Sequence, residues 1–382
     1  MANTLSNLIP DAYAALDIVS RELTGFIPSV LRDSKADQIG AGQTLRVPVV
    51  PTATVSNISP AMSLPAAVDQ TVSNVTLTLT KQREAKFSWS GAQQKDINNG
   101  VGYATIKQLQ IAQAIRALVN EMEADLAAAA ILGCSRAYGT ATTVPFGTAN
   151  DYTDASNLHR ILADNGAPMS DKQLVISTAV GVNLRGKQAT SQNGTDDNIL
   201  RQGVLLDVNG FAIRESYSLG STFTKGTGAN YVINGTHAAG STSIVIKTGT
   251  GTVLAGDVVS IASAGGTHKY VVTTGVSAPG TIVINTPGLV VAAADGDVVT
   301  LTSNYARAGV AFDRSSLLLA TRVPDAPEEG DIAIMREIVT DPRTGLSFEV
   351  SAVGGDRMVT FRVGAVWGVS AIKPAHAALL IG

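Results

Sequence analysis

Thirty consecutive residues, Tyr103 to Leu132, contain neither glycine nor proline. Ile106, Leu109, Ala112, Ile115, Leu118, Met122 and Leu126 recur every three or four positions, which lines them along one face of an α-helix. Gln108, Gln110, Arg116, Asn120 and Glu123 fall mainly on the other faces. Asn98-Asn99-Gly100 marks the start and Gly133 the stop. At 1.5 Å per residue such a helix is a rod of roughly 45 Å, about two and a half times the common length of ~11–12 residues. A rod of that length needs elements on both sides to cover it, and the flanking sequence supplies two different kinds.

Before the helix the chain is extended. Residues 43–60 and 69–90 alternate apolar and polar positions with a period of two. In the first, Thr44, Arg46 and Pro48 separate Leu45, Val47 and Val49, and Pro48, Pro51 and Pro60 suit an edge strand. In the second, Val75, Leu77, Leu79, Ala85, Phe87 and Trp89 alternate with Thr76, Thr78, Thr80, Lys86 and Ser88, and Lys81 and Arg83 interrupt the apolar face. As one strand it would reach about 65 Å. A two-stranded ribbon of that length is not stable alone and exposes edges that invite another chain. Further upstream, residues 8–32 carry Leu16, Val19, Leu23, Phe26, Ile27 and Val30, interrupted by Gly25 and Pro28, as an arm too short to fold alone.

After the helix the pattern is mixed. A short helix is expected over 154–164, capped by Asp151 or Asp154. A buried strand follows at 173–177, a second short helix at 178–188, a polar loop at 191–197, a tight turn at Asn209-Gly210 and a strand over 211–219. Residues 229–303 then lose helix signals and become rich in Val, Ile, Thr and Gly. They contain a weak repeat: Ala255-Gly256-Asp257-Val258-Val259 matches Asp295-Gly296-Asp297-Val298-Val299 at a period of 40. Short strands with glycine turns predict a small β-barrel or sandwich, with Ile244, Ile246, Val258, Ile261, Val271, Ile282, Ile284, Val298 and Leu301 inside. The entry is Gly226-Thr227-Gly228, and the mixed pattern resumes near Ser303-Asn304 with Val310, Phe312 and Leu317-Leu318-Leu319. Strands over 331–340 and 346–353 flank the turn Asp341-Pro342-Arg343-Thr344-Gly345. The last long strand, 357–373, carries Phe361, Val363, Val366, Trp367 and Val369.

Chemistry is sparse. His159, His237, His268 and His376 are scattered without paired metal spacing. No nucleophile elbow, phosphate loop or zinc-protease signature occurs, and Gly249-Thr250-Gly251 lies in an all-β repeat with no helix after it. Asp325, Glu328, Glu329 and Asp331 cluster around Pro324 and Pro327 as a solvated acidic loop, with a contact to a neighbouring subunit or a weak cation site as the minor alternative. No catalytic residue, cofactor or metal is expected. Charged residues are only 15% of the 382, apolar residues 45%, and the net charge is −3. No basic stripe of the kind that neutralises phosphates occurs. No apolar run of about 18 residues occurs, so no membrane span is expected. The first residues lack the shape of a secretory leader. The single cysteine, Cys134, excludes an intrachain disulfide and fits a reducing cytoplasm. A surface so poor in charge suits a protein surrounded by copies of itself.

The order of segments resembles the major capsid fold of tailed bacteriophages, the Hong Kong 97 type, and within it the gene-5 coat protein family of podophages, which inserts a β-barrel. The phrases that carry the resemblance are LADNGAPMSDKQLVIS (162–177), GFAIRESYSL (210–219), AGVAFDRSSLLLATRVP (308–324), VTDPRTGLSFEVS (339–351) and VWGVSAIKPAHAALLI (366–381). Asp313-Arg314 and Trp367-Gly368-Val369 are the most distinctive. The resemblance implies an α+β subunit with an N-terminal arm (1–42) and an extended loop (43–90). A peripheral domain (91–150) holds a spine helix at 103–132, an axial domain spans 151–228 and 304–330, an inserted barrel fills 229–303, and a closing sheet spans 331–382. It implies that the extended loop lies over a neighbouring subunit, with Arg46, Lys81, Arg83 and Lys86 as inter-subunit contacts and Phe87 and Trp89 as anchors in their own subunit. It implies pentamers and hexamers of an icosahedral lattice, a separate scaffolding protein, a portal, and packaged double-stranded DNA held without sequence preference. Assembly would take place in the host cytoplasm and the product would be the virion. Two rivals stand beside it: an encapsulin-type nanocompartment shell, and a Thr/Gly-rich phage tail or adhesin protein, which leaves the long helix unexplained.

Overall fold

The computed structural model describes residues 25–33, 42–49, 55, 57, 73–98, 102–148, 151–191, 205, 207–263, 266–327, 330–340 and 346–382. The arm upstream of Gly25, the loop at 192–197, Glu328, Glu329 and the turn at 341–345 lie outside these residues.

The long helix runs Tyr103–Leu132, as the sequence predicts. Asn98 Oδ1 accepts from the Tyr103 N–H at 3.1 Å and satisfies one of the first-turn donors. Gly133 ends it in a right-handed conformation (φ −80°). Its reason for being glycine is therefore close approach: a Cβ there would lie 2.4 Å from the Ala371 Cβ. Leu118, Met122 and Leu126 are buried, but Ile106, Leu109, Ala112 and Ile115 are only half-buried. Ala114, Val119, Ala127, Ala130 and Ile131 complete the buried face. One expectation fails outright: Glu123, assigned to a polar face, is completely buried.

The helix packs on a six-stranded sheet built from β1 (Leu31–Asp33), β4 (Lys81–Ser90), β16 (Leu317–Arg322), β17 (Ala333–Thr340), β18 (Ser347–Gly355) and β19 (Met358–Ala371). β19 is the organiser. It pairs with β18 and β4 along its first half and with β16 along its second. The second extended stretch is thus two strands, not one of about 65 Å. β3 (Ser73–Thr78) pairs with β2 (Thr44–Val49) as a separate ribbon, and β4 joins the subunit's own sheet. The physical reason is the side-chain pattern: Ala85, Phe87 and Trp89 give β4 an apolar face that the long helix covers once β4 pairs edge to edge with β19, with Phe87 stacked on Phe361 at 5.3 Å. Trp89 also donates from Nε1 to Gln110 Oε1 at 2.7 Å, so both anchors sit in their own subunit.

A second sheet carries the compact α/β part. Its strands β5 (Arg136–Gly139), β20 (Ala377–Ile381), β15 (Tyr305–Asp313), β6 (Lys172–Ile176) and β7 (Phe211–Glu215) lie in that order. β8 (Thr222–Phe223) pairs with β15. The apolar tail becomes β20, buried at every position between β5 and β15. Helices Thr153–Asp164 and Thr178–Ser191 flank this sheet, the latter three residues longer than predicted. Asp151, not Asp154, meets the first helical N–H of Thr153, at 2.7 Å; Asp154 instead accepts from the Phe146 N–H. The strand after Asn209-Gly210 ends at Glu215 rather than 219.

Strands β9 (Tyr231–Ile233), β10 (Ser243–Lys247), β11 (Val258–Ser263), β12 (Gly266–Thr274), β13 (Gly280–Ile284) and β14 (Val298–Leu301) pair in the cyclic order β11-β14-β9-β10-β13-β12-β11. Their interior holds Ile244, Ile246, Ile261, Ile282, Ile284 and Leu301 as expected, but Val259, Val272 and Val299 in place of Val258, Val271 and Val298. A shift of one residue in a strand reverses its faces. Here Val258 and Val271, paired across β11 and β12, turn outward yet stay buried, because they meet the core under the long helix. Val298 has no such cover and is 50% exposed. The ring is tied to the helix end by Asn285, whose Nδ2 donates to the Leu132 and Cys134 carbonyls at 2.7 and 2.8 Å.

The 40-residue repeat is one turn used twice. Leu254 N donates to Asp257 Oδ2 at 2.6 Å, and Ala294 N donates to Asp297 Oδ2 at 2.8 Å. Gly256 and Gly296 adopt φ of +95° and +89° between them, a region glycine enters without steric cost. The two copies differ in burial. Asp257 is buried and also accepts from Gly226 N at 3.0 Å, at the entry to the unit. Asp257→Ala therefore leaves two backbone donors unpaired and lowers the unfolding free energy by about 2–3 kcal/mol, whereas Asp297→Ala, half-exposed, costs about 1 or less. Denaturant unfolding of the two variants checks the ranking.

Candidate functional site

Six consecutive residues of the long helix, 120–125, collect contacts from four separate parts of the chain. Glu121 Oε1 accepts from Lys81 Nζ at 3.0 Å and Arg83 Nε at 3.1 Å. Asp125 accepts from Lys81 Nζ at 2.8 Å through one oxygen and from Trp367 Nε1 at 2.8 Å through the other. The Asn120 carbonyl accepts from the Tyr217 hydroxyl at 2.7 Å. Glu123 faces the opposite way. Its Oε1 accepts from Gly25 N (2.7 Å), Phe26 N (2.8 Å) and Ser216 Oγ (2.7 Å), and its Oε2 from Ile27 N (3.1 Å).

The geometry follows from helical pitch. Positions 121 and 125 are one turn apart and share a side, while 123 lies about 200° around from 121. The alternating acids in Glu121-Met122-Glu123-Ala124-Asp125 thus cannot share one solvated face. That is the signal by which Glu123 could have been found. Its three consecutive N–H donors form a small anion-binding concavity at the start of the turn 25–30. Phe26, Ile27 and Val30 of that turn enter the main core, with Phe26 stacked on Phe312 at 6.0 Å.

Electrostatics separate the two sides. The hydrogen bond to Asp125 leads the interactions that hold the Lys81 ammonium above its ordinary range, and Glu121 adds to it. Glu123 is pushed up instead, because burial outweighs its four hydrogen bonds. Cys134 behaves as a small core residue whose thiol burial pushes far up.

Of the four residues predicted as subunit contacts, Lys81 and Arg83 are brought together on this helix within their own chain. Lys86 pairs with Glu84 at 2.5 Å on the outer side of β4. Arg46 projects from the ribbon and is exposed. The ribbon's other face, with Leu45, Val47, Val49, Val75 and Leu77, packs against Leu79, Leu318 and Val366. In the acidic loop, Asp325 pairs with Arg322, and Asp331 with Arg336. Among the described residues no group of His, Cys, Asp and Glu is placed to hold a metal ion, and no helix is long and apolar enough to cross a membrane.

No protein family and no curated protein matches this chain. Solved structures do. A structure from Mycobacterium phage Che8 superposes with a TM-score of 0.51 at 14% identity, covering 94% of this chain and 90% of that one. The capsid asymmetric unit of Cyanophage A-1(L) superposes with a TM-score of 0.52 at 9% identity, covering 94% and 91%. Near-complete coverage of both chains at such low identity is likeness of architecture: the chain shares the fold of these two phage structures, the second of them a capsid.

Proposed function

We propose that this protein is the major capsid protein of a tailed double-stranded DNA phage, a structural and non-enzymatic subunit of the Hong Kong 97 type that self-assembles into a closed icosahedral shell. The observation that carries this is the fold shared over 94% of the chain with a virion capsid structure. Residues 43–90 act as the extended loop, 103–132 as the spine helix, 229–303 as an inserted barrel, and 151–228 with 304–330 as the axial domain. The partners are further copies in pentamers and hexamers, a scaffolding protein, a portal, and DNA held without sequence preference. A net charge of −3 suits walls that do not adhere to packaged DNA. Weak contacts suffice, because closed symmetry repeats each one many times. The phage origin of the fold neighbours favours a virion shell over a nanocompartment.

Electron microscopy of the purified protein, alone and with its scaffolding protein, tests this: closed shells are expected, and only monomers and dimers in both samples would sink the reading. Arg46, Lys81, Arg83 and Lys86 remain the proposed contacts to a neighbour. Arg83 and Glu121 are both partly exposed, so their ion pair contributes at most about 1 kcal/mol within the subunit. Arg83→Glu is therefore expected to cut shell yield severalfold with little change in the melting temperature of unassembled subunits. Equal loss of both would place the role of Arg83 inside the subunit.

A further inference from the structure

A cavity of about 460 Å³ lies where β12 of the six-strand ring meets β5 and the loop at 140–148. Its charge balance is unusual for this chain. Arg136, Arg160, Lys187 and Lys269 line it, against the carboxylates of Asp151 and Asp154. Two of the cations are deeply buried: Arg136 is 4% exposed and Lys187 7%. Their partners inside the protein are mostly neutral. Lys187 donates to the Asp151 carbonyl and lies 5.5 and 5.6 Å from the Phe146 and Tyr152 rings. Lys269 donates to the Gly139 carbonyl. Arg136 Nη2 donates to the Ile161 carbonyl at 3.1 Å and to Asn165 Oδ1 at 3.2 Å. Its one carboxylate neighbour, Asp164, is 3.4 Å away and 52% exposed, hence screened.

The two lining carboxylates offset only part of this charge: both act on Lys187, yet four cations face two acids. Asp151 accepts from Thr153 and Asp154 from the Phe146 N–H. Burial holds the Lys187 and Lys269 ammonium groups and the Arg136 guanidinium below their ordinary ranges. Buried positive charge in excess of the carboxylates near it is costly, and an anion of matching size lowers that cost. His268 also lines the cavity, where burial and the nearby Arg136 hold its imidazole below its ordinary range.

We infer that this cavity binds a small oxyanion of the phosphate class, clamped between Lys269 of β12 and Arg136 and Lys187 of the main body. The ligand bridges the inserted strands and the sheet they are attached to, so its binding stiffens that seam. The site goes beyond the shell reading and does not depend on it: a protein that failed to form shells could still bind phosphate here.

The test uses the full-length protein with inorganic phosphate, followed by thermal unfolding and by the phosphorus line width of the added phosphate. A saturable rise in melting temperature of about 2 °C or more is expected, absent with sodium chloride at matched ionic strength. Lys187→Met and Lys269→Met each weaken phosphate binding at least about tenfold, the worth of one charge-assisted hydrogen bond. Arg160→Gln, an exposed change that leaves the fold intact, weakens it by about threefold or more. No saturation up to tens of millimolar, an equal response to chloride, or unchanged affinity in both Lys269→Met and Arg160→Gln would overturn the assignment. Displacement of phosphate by a short oligonucleotide at equal phosphate concentration would overturn it too, in favour of nucleic-acid contact.

Discussion

Glu123→Ala is expected to lower the unfolding free energy of the unassembled subunit by about 3–5 kcal/mol, among the largest effects of any single change in the long helix. The substitution removes the acceptor for three backbone N–H groups and the Ser216 hydroxyl, and each buried donor left unpaired costs about 1–3 kcal/mol. Relief of a buried charge returns part of that sum, which is why the total stays below four full penalties. The amides of Gly25, Phe26 and Ile27 lose hydrogen-exchange protection first, because the carboxylate is what holds them to the helix. Glu123→Gln is milder. One side-chain oxygen still accepts, but the new NH₂ group faces a donor in place of an acceptor.

The same residue gives a pH signature of defined sign. Its pKa is raised in the folded protein, so the folded state binds the proton more tightly than the unfolded chain does. The associated stability is fully present below the unfolded value, near 4.3, and is lost as pH rises through the folded value. Stability curves for the native protein and Glu123→Gln therefore diverge: relative to the variant, the native protein weakens as pH rises from about 4 towards neutrality. A difference that grows in the other direction would mean that the four hydrogen bonds, not burial, dominate.

What could be read in advance was whatever rests on local pattern. The bounds of the long helix follow from thirty residues without a breaker, and the buried strand at 172–176 from an apolar run between turn signals. The interior of the ring is legible in residue type but not in phase at Val258, Val271 and Val298, because each is followed by a second valine and a period of two fits either one. Val258 and Val271 turn away from its interior and are buried only because the helix core happens to be there. The break between β3 and β4 was hidden for a related reason: Leu79 and Thr80 continue the alternation, and only the pairing of Lys81–Ser90 with β19 separates them. The helix hub was half visible. Lys81 and Arg83 stand out as charges on an apolar strand, but their partners Glu121 and Asp125 lie about forty residues away, beyond the reach of strand alternation. Helical pitch turns Glu123 away from Glu121 and Asp125, but the partners it meets, residues 25–27 and 216, lie nearly a hundred positions off on either side, where no local rule reaches.

Gly368→Val is expected to abolish shell formation while the helix–sheet core survives. Gly368 lies in the last third of β19, opposite Ala320 of β16. These two small residues leave room for the chain to cross the sheet as it passes from β3 to β4. A Cβ at Gly368 would stand 2.3 Å from the Thr78 carbonyl oxygen and 3.2 Å from the Leu79 Cα. Both obstacles are backbone, so no side-chain rotation relieves the overlap. Leu77 and Leu79 on either side are buried, and Leu79 closes the ribbon base by exchanging hydrogen bonds with Gln43 and Gly42 at 3.3 and 3.0 Å. Relief thus requires the ribbon base to lift off the sheet, which costs about 1–3 kcal/mol or more and redirects the whole extended segment. The loss in subunit stability is modest, a few degrees in melting temperature, because β4 stays paired to β19 through ten residue pairs below the crossing. Gly368→Ala is the graded case, with shell yield reduced about tenfold or more. Sedimentation and electron microscopy of both variants, beside thermal unfolding of their subunits, separate the two effects. Shells formed at the native yield by Gly368→Val would show that the path of the extended segment is immaterial to assembly.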